Sequence, residues 1–184
     1  MTDISYLLSP SGTILEVLTP EAWTAFALAN GGDGIADPRS AEGHPIASFI
    51  SGEETRLSVE TVLRVAAAGT PLRYLFRCDA PTVRRSMRMR LERTDGGSVR
   101  AVTHLLAEEP RAARLLFADP LAAPAEWPLR RICSYCKRIE NPGTPGEWLD
   151  GEEYEARGHT LDARLSHGVC PNCGAHLEGS IEAK

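Results

Sequence analysis

Four cysteines in the last third of the sequence form two C-x-x-C pairs. Cys133 and Cys136 make the first pair, and Cys170 and Cys173 make the second. The spacing lets both thiolates of one turn face the same ion, and two facing turns complete a tetrahedral shell. Zinc favours this sulfur set, and a shell closed by four protein ligands leaves no open position for catalysis. The sequence therefore predicts one structural Zn²⁺ bound by these four residues.

Other uses of the two cysteine pairs fit the pattern less well. One pair alone could be a redox motif, but neither pair is expected to begin a helix after a strand, as in a thioredoxin-like unit. Four thiolates can also bind an iron–sulfur cluster, which stays open as an alternative. His167 and His176 flank the second pair and could replace a cysteine. Because four cysteines suffice, we interpret both histidines as neighbours of the ligands or as surface groups.

The remaining chemically active residue types do not form a catalytic motif. The segment Asn30-Gly31-Gly32-Asp33-Gly34 is rich in glycine but lacks the lysine and the following serine or threonine of a phosphate-binding loop. The fifth cysteine, Cys78, is expected to be a small buried apolar residue. We expect His44 to lie in a loop and His104 to be a structural strand residue, rather than haem ligands. The sequence therefore predicts a protein that is not an enzyme.

Charge and hydropathy limit the class of protein further. The chain has 184 residues and a formal net charge of -5, which argues against simple electrostatic binding of nucleic acid. No apolar run approaches the roughly 20 residues of a membrane helix, and the N-terminus lacks the features of a signal peptide. We therefore expect a cytoplasmic protein without a membrane partner.

The N-terminal part of the chain predicts a hairpin followed by helices. Proline and glycine in Ser9-Pro10-Ser11-Gly12 favour a tight turn. Thr19 at the N-cap and Pro20 at the first helical position favour a helix start. The predicted elements are strands at 4–8 and 13–18, a helix from 20 to 30, a loop at 31–45, an apolar turn at 46–50, and a helix at 58–68.

The next segments have the two-residue period of strands with one buried face. Strands are predicted at 72–78, 83–93 and 99–106, and Thr94-Asp95-Gly96-Gly97-Ser98 is typical of a hairpin turn between the last two. One face of the middle strand is apolar, at Val83, Met87, Met89 and Leu91. The other face of this sheet is polar, and its predicted members are Arg73, Leu75, Arg77, Arg84, Ser86, Arg88, Arg90 and Glu92. We expect these arginines to form a solvated or dimer-facing surface of the sheet.

The C-terminal part is predicted to be a small module behind a linker. Residues 108–131 contain four prolines, which exclude a continuous helix, although a short helix at 111–117 fits the sequence. From residue 132 to 178 the composition shifts to cysteine, glycine and histidine, as expected of a module whose folding depends on a metal. Trp148, Leu149 and Tyr154 are expected to form its apolar core. The fold class predicted for the whole chain is α+β.

The order of predicted elements over residues 3–107 resembles a PAS domain. The likeness depends on Ser11-Gly12 in the first hairpin, Phe49-Ile50 before the longer helix and Asp95-Gly96 in the last hairpin. The tail is similar to a segment that ends many bacterial PAS, GAF and receiver-domain signalling proteins. Its matching residues are Ile132-Cys133-Ser134-Tyr135-Cys136-Lys137-Arg138-Ile139, Trp148, Glu152-Glu153-Tyr154 and Ser166-His167-Gly168-Val169-Cys170-Pro171-Asn172-Cys173.

The resemblance implies a regulatory protein of bacterial signal transduction. A PAS-like fold implies an antiparallel sheet with flanking helices, a pocket that can take an unidentified small ligand, and a sheet through which a homodimer can form. The tail implies a zinc-ribbon-like module that docks a protein partner. The alternative from the residues themselves is a regulator that binds nucleic acid or the transcription machinery through the arginines of the sheet. A cofactor-dependent enzyme is the last of the three hypotheses.

Overall fold

The computed structural model of the protein describes residues 3–50, 53–79, 82–110 and 123–182. Within these residues the chain is α+β, as predicted, with a five-stranded antiparallel sheet, flanking helices and a second sheet of four strands. No helix in these ranges combines the length and the apolar character needed to cross a bilayer.

The N-terminal hairpin forms as its turn sequence predicts. Strand β1 (Ile4–Leu8) pairs antiparallel with β2 (Ile14–Val17). The turn between them bends at Gly12, whose φ of +88° is costly for any residue with a Cβ atom. A Cβ atom there would also lie 3.2 Å from Cδ1 of Leu63, so the turn packs closely on the helix that carries Leu63.

Helix α1 (Pro20–Ala29) begins at the predicted position, but Thr19 does not cap it with its side chain. The Thr19 hydroxyl instead accepts a hydrogen bond from the N–H of Ser5, at 2.8 Å. The predicted loop at 31–45 contains a short 3₁₀ turn (Asp33–Ile35) and a four-residue helix α2 (Pro38–Ala41). A second 3₁₀ turn (Ile46–Phe49) follows at the predicted apolar turn.

Helix α3 (Glu53–Ala67) starts earlier than the predicted residue 58. Its first turn is Glu53-Glu54-Thr55-Arg56, which has no apolar periodicity and so carried no helical signal. Its apolar residues Val62, Leu63 and Ala66 recur at helical spacing, and all three are buried.

Three strands follow α3, and the middle one has the predicted bounds. They are β3 (Leu72–Arg77), β4 (Val83–Arg93) and β5 (Val99–Pro110). The order of the sheet is β2-β1-β5-β4-β3, since β5 pairs with both β4 and β1. The pairing of β4 with β5 shifts register between Ser86 and Met87. The buried side chains of α1 and α3 join one core with the inner face of this sheet.

The second sheet has the order β8-β7-β6-β9. Its strands are β6 (Leu129–Cys133), β7 (Ile139–Glu140), β8 (Trp148–Leu149) and β9 (Arg164–Gly168). Helix α4 (Gly151–Ala156) follows β8, and helix α5 (Pro171–Glu182) follows β9. The strands β6 and β9 are parallel, which the sequence did not indicate.

A β-strand extends into each end of the predicted linker. Strand β5 continues through Pro110, and β6 begins at Leu129. The predicted short helix at 111–117 lies outside the described residues. The division of the chain into a PAS-like domain at 3–107, a linker at 108–131 and a metal-binding module at 132–178 stays a prediction.

Two hydrophobic clusters hold the chain together. The smaller cluster contains Ile132, Ile139, Leu149 and Tyr154, so two of the three predicted core residues of the C-terminal part are in place. The third, Trp148, packs against the larger cluster. That larger cluster includes residues of the first sheet and of the cysteine-bearing part, so one core runs through both.

Candidate metal centre

The structure brings together the four cysteines that the sequence predicts as ligands. One sulfur atom from each of Cys133, Cys136, Cys170 and Cys173 lies within 4.8 Å of the other three, and we call this group the cysteine cluster. The sulfurs of Cys136 and Cys170 are 3.7 Å apart. Four sulfurs at about 2.3 Å from a tetrahedral ion are about 3.8 Å from one another. The cluster therefore has the size of a tetrahedral thiolate site.

The parallel pairing of β6 with β9 places the two cysteine pairs side by side. Cys133 is the last residue of β6 and lies opposite Gly168, the last residue of β9. Parallel strands finish at the same edge of a sheet, so both chains leave the sheet together. Cys170 follows β9 after one further residue, which brings the second pair to the first.

The first pair lies in a tight turn closed by backbone hydrogen bonds. The N–H of Lys137 donates to the carbonyl oxygen of Cys133 at 3.0 Å, and the N–H of Cys133 donates to that of Arg138 at 2.8 Å. Lys137 has a φ of 60°, and no other residue except glycine has a positive φ in the described ranges. The turn thus requires a left-handed residue directly after Cys136, at a position without glycine.

The second pair does begin a helix after a strand, contrary to the sequence prediction. Pro171 is the first residue of α5, and Cys173 lies in the first turn of that helix. Gly174 continues this helix, and its N–H donates to the carbonyl oxygen of Cys170 at 2.9 Å. Glycine has a low helix propensity, so Gly174 weakened the sequence signal for the helix that begins at Pro171.

Backbone N–H groups approach the sulfurs, as expected of metal-binding turns. The N–H of Cys170 donates to Sγ of Cys133 at 3.4 Å, and the N–H of Cys173 donates to Sγ of Cys170 at 3.5 Å. Such bonds spread the negative charge of a thiolate. They would stabilise the deprotonated sulfurs that a metal needs.

The thiols of the cluster influence one another's ionisation. Hydrogen bonds from Cys136 and Cys173 lower the pKa of Cys133 well below the ordinary thiol range. The hydrogen bond to Cys133 raises the pKa of Cys136 to about 12, and it raises the pKa of Cys173 far above its ordinary value. A second thiolate beside the first is therefore unfavourable unless a cation shares the site. A divalent ion supplies that compensation, so the residues fit a bound metal.

The other candidate residues lie outside the cysteine cluster. Cys78 is half-buried, and burial raises the pKa of its thiol. His104 lies in β5, with its Nδ1 atom 2.7 Å from a carboxylate oxygen of Asp3. His44 meets the ring of Phe49 edge-on at 6.5 Å between ring centroids.

His167 and His176 do not contribute to the cysteine cluster. His167 lies in β9 and His176 lies on the exposed side of α5. Each of them has an interaction with another group of the protein. Within the described part of the chain, the four cysteines are the group that could hold a metal ion.

A network around Arg77 connects the first cysteine turn to the edge of the first sheet. The N–H of Arg77 donates to the carbonyl oxygen of Tyr135 at 2.7 Å, and its Nη1 donates to that of Cys136 at 3.3 Å. The guanidinium also pairs with Asp79, whose side chain is buried, and with Asp150. The sequence placed Arg77 on a polar sheet face and gave no sign of this junction.

Aromatic and hydroxyl contacts strengthen the same junction. The ring of Tyr135 lies edge-on to that of Tyr74 in β3, with 5.5 Å between centroids. On the helical side, the Thr55 hydroxyl donates to that of Ser134 at 3.1 Å. The first cysteine turn is therefore anchored to both β3 and α3.

Arg85 is a buried cation on the inner face of β4, which sequence reasoning missed. Its guanidinium donates to Glu108 at 2.8 Å and to the side-chain oxygen of Asn30 at 2.6 Å, and it lies 5.8 Å from the ring centroid of Phe26. Its position in the strand, two residues before Met87, was the available signal. Because the guanidinium of Arg85 is paired inside the protein, we interpret Arg85 as a structural residue of the core.

The inner face of the first sheet is lined with aromatic side chains. Tyr6 and Trp23 meet edge-on at 5.7 Å between ring centroids, and both are buried. Burial raises the pKa of Tyr6 to about 12 and that of Tyr74 well above its ordinary value. Binding of a small ligand between the sheet and the helices stays a prediction.

No protein-family model matches the chain, and no curated protein is significantly similar to it in sequence. What fold and site establish together is an α+β protein with a cluster of four cysteines suited to a metal such as zinc.

Proposed function

We propose that this chain is a non-enzymatic regulatory protein of bacterial signalling, in which a PAS-like domain is coupled to a structural zinc segment and binds a protein partner. The pairing of the N-terminal hairpin with a three-stranded antiparallel run supports the PAS-like assignment. The position of the helices on one face of the sheet supports it too.

A single observation carries the proposal, namely that the cysteine cluster shares a hydrophobic core with the first sheet. Cys133 and Cys170 are buried, and they pack in the same hydrophobic cluster as Tyr74 and Leu72 of β3. A closed set of four thiolates offers a metal no open coordination position. Such a metal stabilises a fold, and here the stabilised fold includes the sheet.

Zinc is the ion that this donor set favours. The sulfurs are spaced for a tetrahedral shell, and the sequence around them contains no additional cysteine for a second cluster. An iron–sulfur cluster is the alternative for four thiolates. It would give the purified protein visible absorption, whereas zinc would not.

Native mass spectrometry of the protein purified without added metal tests the metal proposal. We expect an excess mass of one zinc ion on the folded chain. Folded protein without any metal, or with the mass and colour of an iron–sulfur cluster, would overturn the zinc assignment. A further small molecule retained in the spectrum would identify a ligand of the PAS-like domain, and the same spectrum reports whether a homodimer forms.

Proximity labelling in the native host tests the regulatory role. We expect a small set of signalling or regulatory proteins to be labelled by the wild-type fusion and lost with a Cys136→Ser fusion of equal abundance. Cys78→Ser is the matched control, because it removes a cysteine outside the cluster. A labelled set that is identical for all three fusions would contradict the proposed docking role.

Nucleic-acid binding is the second candidate, and the exposed arginines of the sheet favour it. Arg73, Arg88 and Arg90 are all exposed on one face. The net charge of -5 and the acidic start of α4, which contains Glu152 and Glu153, oppose it. A salt-sensitive shift of the protein with DNA or RNA at near-physiological salt would favour this candidate over a protein partner.

A further inference from the structure

The outer face of the first sheet, away from the helices, carries a concentrated positive surface. We call it the arginine face and define it by six residues on three adjacent strands. Leu75 on β3 is 53% exposed, and Val102 on β5 is half-buried. The remaining members are exposed arginines, namely Arg73, Arg88, Arg90 and Arg100.

The strand register crowds like charges on this face. Arg73 of β3 lies directly opposite Arg90 of β4, and Arg88 lies opposite Leu75 one step along. Cations directly opposite one another on neighbouring strands destabilise a sheet. One acidic neighbour, Glu92, accepts a hydrogen bond from Arg90 at 2.6 Å, and no ion pair of Arg88 occurs within the described residues. Arg73 has a further interaction within the protein. Arg88 is therefore the arginine of this group that a carboxylate from outside could neutralise.

A second copy of the chain is poorly suited to cover this face. A two-fold interface over this face would bring the arginines of both copies into one contact area, because both copies use the same patch. The exposed side chain of Leu75 would then be buried at the cost of greater repulsion. Charge complementarity favours an acidic partner instead.

Protein fits this surface better than nucleic acid does. The six defining residues include no aromatic side chain on which a base could stack. The exposed side chain of Leu75 lies on this face, and an apolar side chain of a peptide could cover it.

We propose that the arginine face binds an acidic segment of a partner protein, with a carboxylate against Arg88 and an apolar side chain over Leu75. This inference rests on the proposed function, since it names the surface and the chemistry of the partner. We place the segment across the face, because the exposed arginines and Leu75 project from the face and not from the edge of the sheet.

Fluorescence anisotropy with synthetic probes tests the proposal on the full-length, metal-loaded protein. The first probe is a labelled peptide that alternates glutamate with leucine, the second is the same peptide with glutamine for glutamate, and the third is a single-stranded DNA oligonucleotide. We expect the acidic peptide to bind, and the glutamine peptide and the oligonucleotide to bind at least about tenfold more weakly. Raising the salt from about 0.1 M to about 1 M should weaken the acidic peptide further.

Variants locate the binding surface. The double substitution Arg88→Gln with Arg90→Gln should weaken the acidic peptide about tenfold or more, and Leu75→Ser should weaken it several-fold. The control Arg39→Gln with Arg64→Gln changes net charge equally at exposed positions on α2 and α3, and it should bind as wild type. Circular dichroism and thermal unfolding confirm that each variant is folded.

Several outcomes would overturn the inference. These are absent peptide binding, equal weakening by both double variants, tighter binding of the oligonucleotide, or a dimer that the Arg88/Arg90 variant abolishes. Proximity labelling separates this failure from failure of the proposed function. Partners labelled equally by wild type and by the Arg88/Arg90 variant would refute the arginine face alone. Partners labelled equally by wild type and by Cys136→Ser would refute the proposed function.

Discussion

Each cysteine of the cluster has the same expected role, which is to supply one thiolate to a closed shell. Cys136 is the most informative to replace, because it is half-buried and a serine fits its space. We expect Cys136→Ser to lower metal affinity at least a hundredfold. Through linkage this removes about 2.7 kcal/mol or more of stability at moderate metal concentration. Metal content and thermal unfolding of the purified variant measure both effects.

Cys78→Ser is the control for that prediction. It should retain one metal ion per chain and unfold near the wild-type temperature, since Cys78 lies outside the cluster. Equal loss of metal from both variants would mean that Cys78 participates, and full metal content in Cys136→Ser would mean that Cys136 does not.

Tyr6 gives the first sheet a dependence on alkaline pH. Burial raises the pKa of its hydroxyl from about 10 to about 12 in the folded chain. A raised folded-state pKa means that the full stability is present below pH 10 and falls as pH rises toward 12, because the unfolded chain releases its proton first. The loss reaches about 3 kcal/mol at most.

Denaturant unfolding at several pH values from 9 to about 12 checks this prediction. Tyr6→Phe removes the ionisable group but keeps the ring against Trp23, so its stability should fall less steeply over the same interval. An identical slope for the two proteins would assign the alkaline loss to other groups, such as Tyr74.

At the scale of elements, the first hairpin depends on the conformation of Gly12. Gly12→Ala must hold a Cβ atom at positive φ and 3.2 Å from Leu63, so we expect a loss of about 1–2 kcal/mol. Gly34→Ala is the matched control, because its Cβ atom would meet no heavy atom within 4 Å and its φ is not positive. Denaturant titrations of both variants give the comparison, and equal effects would contradict a special role of this turn.

The junction between β3 and the first cysteine turn depends on Arg77. Arg77→Ala removes the bonds to the carbonyl of Cys136 and to Asp150, and it leaves the buried carboxylate of Asp79 without its cation. We expect a loss of about 3 kcal/mol. Hydrogen exchange should also accelerate at the amides of the cysteine turn, while Arg64→Ala on the exposed side of α3 should change neither quantity. Unchanged exchange in Arg77→Ala would show that the main-chain bond to Tyr135 suffices.

Local signals in the sequence predicted individual strands and turns better than they predicted which strands pair with one another. The bounds of β4 and the hairpin turn at Gly12 followed from alternation and turn chemistry, which act over a few residues. The parallel pairing of β6 with β9 joins segments more than thirty residues apart, and no short pattern announces it. The spacing of the cysteines identified the cluster without that pairing, because metal ligands are themselves a long-range constraint.

The sequence was least informative about the arginines that have partners inside the protein. Arg77 alternates with apolar residues and so indicated a solvated face, yet it forms the junction to the cysteine turn. Arg85 shares the inner face of β4, where only its partners Glu108 and Asn30 make burial of the charge tolerable. Such partners come from distant segments, which a pattern along one strand does not include.

At the scale of the whole molecule, the metal site and the first sheet share one core. Buried Cys133, Tyr135 and Cys170 pack in the same cluster as Val62 of α3 and Tyr74 of β3. We therefore expect removal of the metal by a chelator to loosen α3 and β3 as well as the C-terminal strands. Hydrogen exchange with and without chelator measures this, and Cys136→Ser with chelator controls for direct effects of the reagent.

If the C-terminal part and the first sheet were independent, hydrogen exchange would show a different pattern. Faster exchange confined to residues 129–182, with α3 and β3 protected as before, would contradict a shared core. Such a result would leave the metal as a stabiliser of the C-terminal part alone.

The contact between Arg77 and Tyr135 also has a consequence for solubility. Strand β3 lies at the edge of its sheet, and its residues Leu72-Arg73-Tyr74-Leu75-Phe76-Arg77 combine aromatic and apolar side chains. Exposed edges of this kind recruit strands from other molecules and start aggregation. The turn that carries the metal ligands covers the end of this edge through the Tyr135 carbonyl. A cell that is short of the metal would therefore face an aggregation-prone protein as well as an inactive one.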